Sequence, residues 1–156
     1  LVVSVHFETF DKDVAVMQVR ELTAKIDEII AEYDCPVIVG GDYNSKYTEA
    51  PYQAITNDYG YVSAREYAMV TNDTVRTNQT YPKFDSSLRI MKPVENNVIT
   101  GRENSVDHIT LYNHDSLSVR LFGIVVDDCT LSASDHLPIF MDFSFGEPEG
   151  DWSEFY

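Results

Sequence analysis

The sequence predicts an α/β fold with a mixed β-sheet, and two patterns support this prediction. A strand, a helix and a second strand follow one another within residues 1–41, an order that places the two strands parallel in one sheet. Three more strand-like runs occupy residues 106–112, 118–126 and 139–145. With 156 residues, of which 44% are hydrophobic, the chain has the size and composition of one globular domain. We expect that domain at residues 1–145 and an acidic tail at residues 146–156.

The first strand–helix–strand unit is predicted element by element. Residues 1–7 begin with a β-branched apolar run that is typical of a strand. Residues 11–13 offer N-caps for a helix, which should end near Asp34 because the residue before Pro36 is disfavoured in the helical conformation. The apolar positions of this helix recur every three or four residues, at Val19, Leu22, Ile26, Ile29, Ile30 and Tyr33. A strand at residues 37–41 completes the unit, and the continuous apolar run at residues 36–39 predicts that both sheet faces are covered.

The centre of the chain is less regular. Pro51 favours a short helix to about Asn57, and residues 58–102 are rich in Asn, Thr, Tyr and Pro, which is typical of turns. Neither a repeat nor an internal linker is visible in the sequence, which supports the prediction of a single domain.

The charge of the chain argues against some classes of partner. There are 26 acidic and 11 basic residues, which leaves a net charge of −15. Such a charge opposes broad electrostatic binding to DNA, RNA or anionic lipid, unless bound divalent cations reverse the local field. No run of about 18 apolar residues predicts a transmembrane segment, so we expect a soluble protein of unknown compartment. Because the sequence starts at Leu1 inside an apolar run, we expect it to be a piece of a longer chain.

The first polar motif, Gly40-Gly41-Asp42-Tyr43-Asn44, directly follows the second predicted strand. Ligands of α/β proteins bind at the carboxyl ends of such strands, and glycine lets the backbone approach a ligand closely. Asp42 and Asn44 would point to one side of an extended chain, where they could hold a water or a hard cation and contact a phosphoryl oxygen. An ordinary Gly-Asp-x-Asn turn explains the motif equally well.

The second motif, Ser134-Asp135-His136-Leu137-Pro138, lies immediately before the last predicted strand. An Asp beside a His can combine metal ligation with a base that titrates near neutral pH. The alternative interpretation is a capped loop with a surface histidine.

Two further segments place polar groups in strands. Because side chains alternate along a strand, Asp107 shares a face with Ile109 and Leu111, which point toward the predicted core. A carboxylate there needs a partner, and the obvious partner is a histidine that it orients. His108 points to the opposite face, and we expect it to be structural or exposed. His6 ends the first strand at the same sheet edge as Asp42, which favours a functional role for it.

In this order, the strand with His6, the GGDYN motif, the VDHI strand and the SDHLP motif resemble the endonuclease/exonuclease/phosphatase superfamily of metal-dependent phosphoesterases. The resemblance extends to Phe145 and implies a four-layer α/β/β/α sandwich of two similar halves. This chain would be the C-terminal half, a mixed β-sheet with helices on one face. The implied reaction is hydrolysis of a phosphodiester or a phosphomonoester by an activated water.

The resemblance implies roles for the water-handling and metal-binding residues. Asp42 would orient or deprotonate the attacking water, and Asn44 would contact the phosphate and help to orient that water. Asp135 would contribute to the metal site, with Asp42 and Asn44 as further candidate ligands. Mg²⁺ is the implied metal, and Mn²⁺ is a possible substitute.

The histidines are the other implied catalytic groups. His136 would act as a base or as a phosphate contact, held by an acid for which Asp107 is the candidate. His6 is similar to the family's phosphate-contacting histidine.

The family's other half supplies an Asn in its first strand and a metal-binding Glu, and neither motif precedes Leu1. We therefore expect the chain by itself to be inactive. We also expect it to need the missing N-terminal half, or to associate with itself through an open sheet face.

The choice of substrate should depend on loops at the active edge. Five of the 11 bases fall within residues 76–102: Arg76, Lys83, Arg89, Lys92 and Arg102. They would form either a phosphate pocket or an ordinary solvated surface, and Tyr81 and Phe84 could stack on a ring or simply pack. The lack of a basic helix or stripe favours a small or lipid phosphoester over duplex DNA. A nuclease of the same superfamily and a non-catalytic binding remnant are the alternatives.

Overall fold

The structure is a computed structural model. It describes residues 1–72, 80–81, 83–85, 90–92 and 105–146, with the backbone alone for residues 83–85, 90–92, 128 and 131. Among the helices of this part of the chain, none combines the length and hydropathy of a membrane-spanning segment.

The described part of the chain contains both helices and strands. The helices are α1 (Lys12–Tyr33), α2 (Ala50–Gln53), which continues into a π-helical turn (Ala54–Asp58), α3 (Ala64–Tyr67) and α4 (Asp128–Ala133). The strands are β1 (Val2–His6), β2 (Val37–Asp42), β3 (Val62–Ser63), β4 (Val70–Thr71), β5 (Lys83–Asp85), β6 (Ile90–Lys92), β7 (Asp107–Tyr112), β8 (Leu117–Ile124) and β9 (Ile139–Phe145).

The strands form sheets of different size. The largest has the order β1-β2-β7-β3, with β1 and β2 parallel, as predicted, and β7 antiparallel to both of its neighbours. A second sheet has the order β4-β8-β9, and β5 pairs with β6 in a hairpin. The predicted mixed α/β architecture is confirmed, but the described strands are divided among three sheets rather than joined in one.

Helix α1 follows the predicted pattern closely. The Asp11 carboxylate caps its N-terminus by accepting hydrogen bonds from the backbone N–H groups of Asp13 and Val14. The helix ends at Tyr33, and its C-cap residue Asp34 takes a left-handed conformation with φ of 43°. Its buried side chains include Val19 and Ile26, and they pack on one face of the largest sheet.

Two hydrophobic clusters lie on opposite faces of that sheet. Val37 and Val39 of β2 are fully buried in the cluster beneath α1 and α2. Ile38, between them, packs against the second cluster, which contains Leu111 and the inward side chains of β8. The alternation of β2 therefore joins a helical layer on one side to the second sheet on the other.

Coverage of the two faces is uneven. The expectation that both faces are covered holds at β2, whereas at β1 the side chain of Val2 is 77% exposed. Sequence patterns also miss the short elements β3, α3 and β4 within the turn-rich centre. They miss α4 as well, although a capping box of Asp127 and Thr130 begins that helix.

Candidate functional site

The strand register brings three site residues into one row at an edge of the largest sheet. His6 is paired with Asp42 across β1 and β2, and Asp42 is paired with Asp107 across β2 and β7. The Nε2 atom of His6 lies 3.5 Å from Oδ2 of Asp42, although the His6 side chain is 73% exposed. Residues that are far apart in sequence therefore meet because the carboxyl ends of β1 and β2 lie beside the start of β7.

Gly41 makes the close approach of β1 and β2 possible. Its φ of +145° is rare for residues with a side chain, and a Cβ added there would lie 2.0 Å from the carbonyl oxygen of Val5. Strand β2 can therefore run through Gly41 to Asp42 only with glycine at this position. The strand ends at Asp42, one residue beyond the predicted strand at residues 37–41.

A tight turn follows Asp42. Asn44 has a left-handed conformation with φ of 46°, and its backbone N–H donates to Oδ1 of Asp42 at 2.7 Å. The side-chain amide of Asn44 donates to the Phe7 carbonyl at 2.9 Å. The prediction that Asp42 and Asn44 share one side of an extended chain is wrong, because the left-handed turn brings them together instead.

The loop after Asp42 is anchored from the protein interior. Tyr43 is fully buried, and its hydroxyl lies 2.8 Å from the hydroxyl of Thr110. His108, also buried, donates from Nε2 to the Ser45 carbonyl at 2.7 Å and is surrounded by the rings of Tyr43, Tyr47 and Tyr52. Burial lowers the pKa of His108 to about 4, so it is neutral at physiological pH and has the structural role expected for it.

His136 is held beside Asp42 by Asp107. Its Nδ1 donates to Oδ2 of Asp107 at 2.9 Å, and its Nε2 lies 3.8 Å from Oδ2 of Asp42. Asp107 of the VDHI motif is thus the hydrogen-bond partner of His136 of the SDHLP motif, as the sequence predicts. Because Nδ1 is engaged by Asp107, Nε2 is the ring nitrogen that faces Asp42.

The electrostatics of this pair favour protonation. Burial alone lowers the pKa of His136, but the hydrogen bond that its Nδ1 donates to Asp107 and the charges of Asp107, Asp42 and Asp135 outweigh burial, and the pKa of His136 lies above its ordinary value. Burial raises the pKa of Asp107, although hydrogen bonds with Thr80 and His136 oppose that shift. Both pKa values are raised, so Asp107 and His136 bind a proton more tightly in this site than the same side chains would in water.

Thr80 is a site residue that sequence reasoning missed. Its hydroxyl oxygen accepts from the backbone N–H groups of Val106 and Asp107, each at 3.0 Å, and its carbonyl accepts from Leu137 at 2.7 Å. Thr80 is 1% exposed. It therefore ties the start of β7 to the loop that carries His136, and no pattern in the turn-rich segment distinguishes it from neighbouring threonines.

The ring of Tyr81 lies against His136, with ring centroids 4.9 Å apart. Its side chain is 47% exposed, so the tyrosine forms an open wall of the site. Phe84 and the basic residues predicted for substrate binding, Arg76, Lys83, Arg89, Lys92 and Arg102, have side chains that lie outside the described residues.

The donor set suits a divalent cation. Ligand atoms of Asp42, Asp107 and His136 all lie within 4.8 Å of one another, and two carboxylates with an imidazole are suitable ligands for such an ion. Asn44 and Asp135, which the sequence adds as candidate ligands, are arranged differently. The side-chain amide of Asn44 is bonded to Phe7, and Asp135 is an exposed residue beside His136.

The similarity to known proteins is structural. Neither a family model nor a curated protein matches the sequence. A mannosyl-6-phosphatase from Bacteroides thetaiotaomicron is similar with a TM-score of 0.69 and 21% identity, over 91% of this chain and 50% of that one. An endonuclease/exonuclease/phosphatase from Bacteroides vulgatus gives 0.64 and 22%, over 90% and 47%. The catalytic domain of human Nocturnin gives 0.50 and 20%, over 92% and 46%.

These identities show the fold, and the chain spans about half the length of the solved structures it matches. Nocturnin was solved with a bound sulfate anion, and the two bacterial proteins are named for phosphatase or phosphatase-family activity. The predicted resemblance is confirmed at the level of the fold: the chain has about half of the α/β sandwich of the endonuclease/exonuclease/phosphatase family.

Proposed function

We propose that the chain forms one half of the active site of a divalent-metal-dependent phosphoesterase. The observation that carries this proposal is the row His6–Asp42–Asp107, with His136 hydrogen-bonded to Asp107 and facing Asp42. An acceptor beside a histidine that is held by a second acid is the arrangement needed to position and deprotonate a water.

The residues divide the work according to their surroundings. Asp107 holds the imidazole of His136 by its Nδ1 atom, so that Nε2 is free to contact a phosphoryl oxygen or to exchange a proton with water. Asp42, 17% exposed in its side chain, accepts a proton from water or orients it. His6 is close enough to Asp42 to contact the same phosphate group.

A divalent cation, with Mg²⁺ the first candidate and Mn²⁺ the second, would be held by Asp42 and Asp107 with help from Asn44 or Asp135. When bound, such an ion neutralises charge on the phosphoryl oxygens and lowers the pKa of water. The small number of protein ligands is typical of Mg²⁺, which keeps several waters.

The net charge of the chain and the exposed ring of Tyr81 support a proposal for the class of substrate. In a chain of net charge −15, a small or lipid phosphoester is favoured over duplex DNA. One similar structure is a mannosyl-6-phosphatase, so a phosphorylated sugar belongs among the first compounds to test. Tyr81 beside His136 is suitably placed to pack on a ring.

The test measures metal binding and hydrolysis separately. Mn²⁺ is titrated into the chain, and Mg²⁺-dependent hydrolysis is followed with p-nitrophenyl phosphate, bis-p-nitrophenyl phosphate and mannose 6-phosphate. If the chain alone gives no turnover, the assay is repeated in a longer polypeptide that carries this sequence. We expect Asp42→Asn and His136→Ala to lower the rate by about 10²-fold or more.

Asp115→Asn is the matched control, because Asp115 is an exposed acid in the turn after β7, at the other end of that strand from Asp107. Near-wild-type rates in Asp42→Asn and His136→Ala would contradict the assigned roles. Metal and ligand binding without hydrolysis, in the longer polypeptide too, would instead identify a non-catalytic binding protein.

We also propose that a second polypeptide surface covers the exposed strands. Val2 of β1 and Phe145 of β9 are 77% and 72% exposed, and both strands lie at sheet edges, where unpaired backbone groups favour association. The chain alone should therefore elute as a dimer or larger species in size-exclusion chromatography with light scattering. A stable monomer at about 100 μM would contradict this expectation.

A further inference from the structure

Lys12 occupies a position that helix stability does not explain. It is the first residue of α1, directly after the N-cap Asp11. A positive charge at a helix N-terminus is opposed by the helix dipole, which favours acids there. The charge of Lys12 therefore does not stabilise the N-terminus of α1, and we look to the contacts of its side chain for its structural role.

Those contacts reach the loop that follows Asp42. The Lys12 ammonium donates to the backbone carbonyl of Asn44 and lies 3.3 Å from Oε2 of Glu49. The same Glu49 oxygen accepts from the backbone N–H of Lys46 at 2.9 Å. One lysine and one glutamate thus connect the start of α1 to both ends of the segment 44–49.

The turn at Asn44 is held by hydrogen bonds from several sides. Its backbone is left-handed, a conformation that is uncommon for residues other than glycine but that asparagine adopts more readily than most. On one side, Asn44 is bonded to Asp42 and to the Phe7 carbonyl. Lys12 holds its remaining backbone group, the carbonyl. The backbone N–H, the side-chain amide and the carbonyl of Asn44 are then all engaged, which leaves the Asp42 carboxylate in one orientation.

We propose that Lys12 is a positioning residue, whose ammonium fixes the Asn44 turn and thereby the orientation of the Asp42 carboxylate. The proposal rests on the proposed function for its catalytic meaning, because Asp42 is the acid that it orients. Lys12 acts through Asn44 and touches no reacting atom.

The first measurement is amide hydrogen exchange of Asn44 by NMR, which needs no metal and no substrate. Lys12→Met keeps the length of the side chain and removes the donor, and we expect the exchange of the Asn44 N–H to rise at least about tenfold. Lys12→Arg keeps a donor and should restore protection. The control is Lys25→Met, which removes an exposed ion pair with Glu28 from the same helix and should leave Asn44 unchanged.

The second measurement is the affinity for Mn²⁺. For the change in this affinity on Lys12→Met, the loss of a charge and the loss of geometry predict opposite signs. Removing a nearby positive charge should tighten cation binding by Coulomb's law, whereas a misplaced Asp42 should weaken it. We expect Lys12→Met to weaken Mn²⁺ binding by roughly tenfold. Tighter binding, or unchanged exchange of the Asn44 N–H, would overturn the proposal.

Two further outcomes are distinguishable. If the wild-type chain takes up no Mn²⁺ and hydrolyses nothing, the proposed function fails, while the exchange of Asn44 still decides the role of Lys12. If Lys12→Met does not fold, Glu49→Gln provides the test. It removes the ionic partner of Lys12 and should raise the exchange of the Asn44 N–H in the same direction by a smaller factor; unchanged exchange would overturn the proposal.

Discussion

His108 and His136 approach the Asp42 loop from opposite sides, and their environments shift their pKa values in opposite directions. His108 lies beneath the loop in a cage of tyrosine rings, where burial lowers its pKa to about 4. His136 lies above Asp42, where acidic neighbours raise its pKa despite partial burial. A carboxylate partner, rather than the imidazole itself, therefore distinguishes the catalytic candidate from the structural histidine.

The division follows from neighbouring residues of β7. Asp107 and His108 point to opposite faces because side chains alternate along a strand. Asp107 therefore faces the site and binds His136, whereas His108 faces the core and holds the Ser45 carbonyl. One short strand supplies both the acid that organises the site and the support for the loop beneath it.

Substitution by alanine should change stability very differently at the two histidines. His108→Ala removes a buried ring that contacts three tyrosines and leaves the Ser45 carbonyl without its donor, so we expect it to lower the free energy of unfolding by about 4 kcal/mol. His136→Ala should cost less than about 1 kcal/mol, because its ring is partly exposed. Urea unfolding measures both; similar losses would show that the two environments differ less than the contacts indicate.

The pH dependence of stability should distinguish the histidines by sign. The folded pKa of His108 is about 4 against an ordinary 6.5, so between these values the unfolded chain binds a proton that the folded chain does not. The free energy of unfolding should therefore fall by about 3 kcal/mol as the pH drops through this window. His136 has a raised pKa, so its contribution is present below the ordinary value and is lost as the pH rises through its folded pKa.

The contribution of His108 is isolated by measuring the free energy of unfolding of wild type and His108→Gln from pH 7 to pH 4.5. The carboxylates are common to both proteins, so their titration cancels in the difference. We expect the variant to lose much less stability on acidification. Parallel pH curves for the two proteins would contradict the assignment of a neutral, buried His108.

A smaller effect should sharpen the role of Asp107. Thr80→Val keeps the shape of the side chain but leaves the N–H groups of Val106 and Asp107 without their acceptor, which should cost about 2 kcal/mol or less. Because Asp107 then loses its fixed position, the pH profile of the rate should shift as well. Thr23→Val is the control, because Thr23 is an equally buried threonine in α1, away from the site. If Thr80→Val and Thr23→Val changed the stability and the pH profile of the rate equally, Thr80 would have a packing role only.

Much of this site was predictable because its signals are local. The cap at Asp11 and the stop before Pro36 define α1, and the apolar run before Gly40 places Asp42 at the end of a buried strand. Alternation along β7 also placed Asp107 on the side where a histidine partner was expected. These predictions depend on capping, proline geometry and the two-residue period of a strand, which neighbours in sequence determine.

Tertiary structure alone decided the remaining features. The bonds of Thr80 to Asp107 and of Lys12 to Asn44 join residues 27 and 32 positions apart, and no local pattern encodes such pairs. The left-handed turn at Asn44 and the separate β4-β8-β9 sheet likewise depend on what packs nearby. Local patterns are enough to predict the main strands and the acids and histidines at their ends. Which of these groups meet depends on the packing of distant segments, because hydrogen bonding and burial are set by the folded neighbourhood.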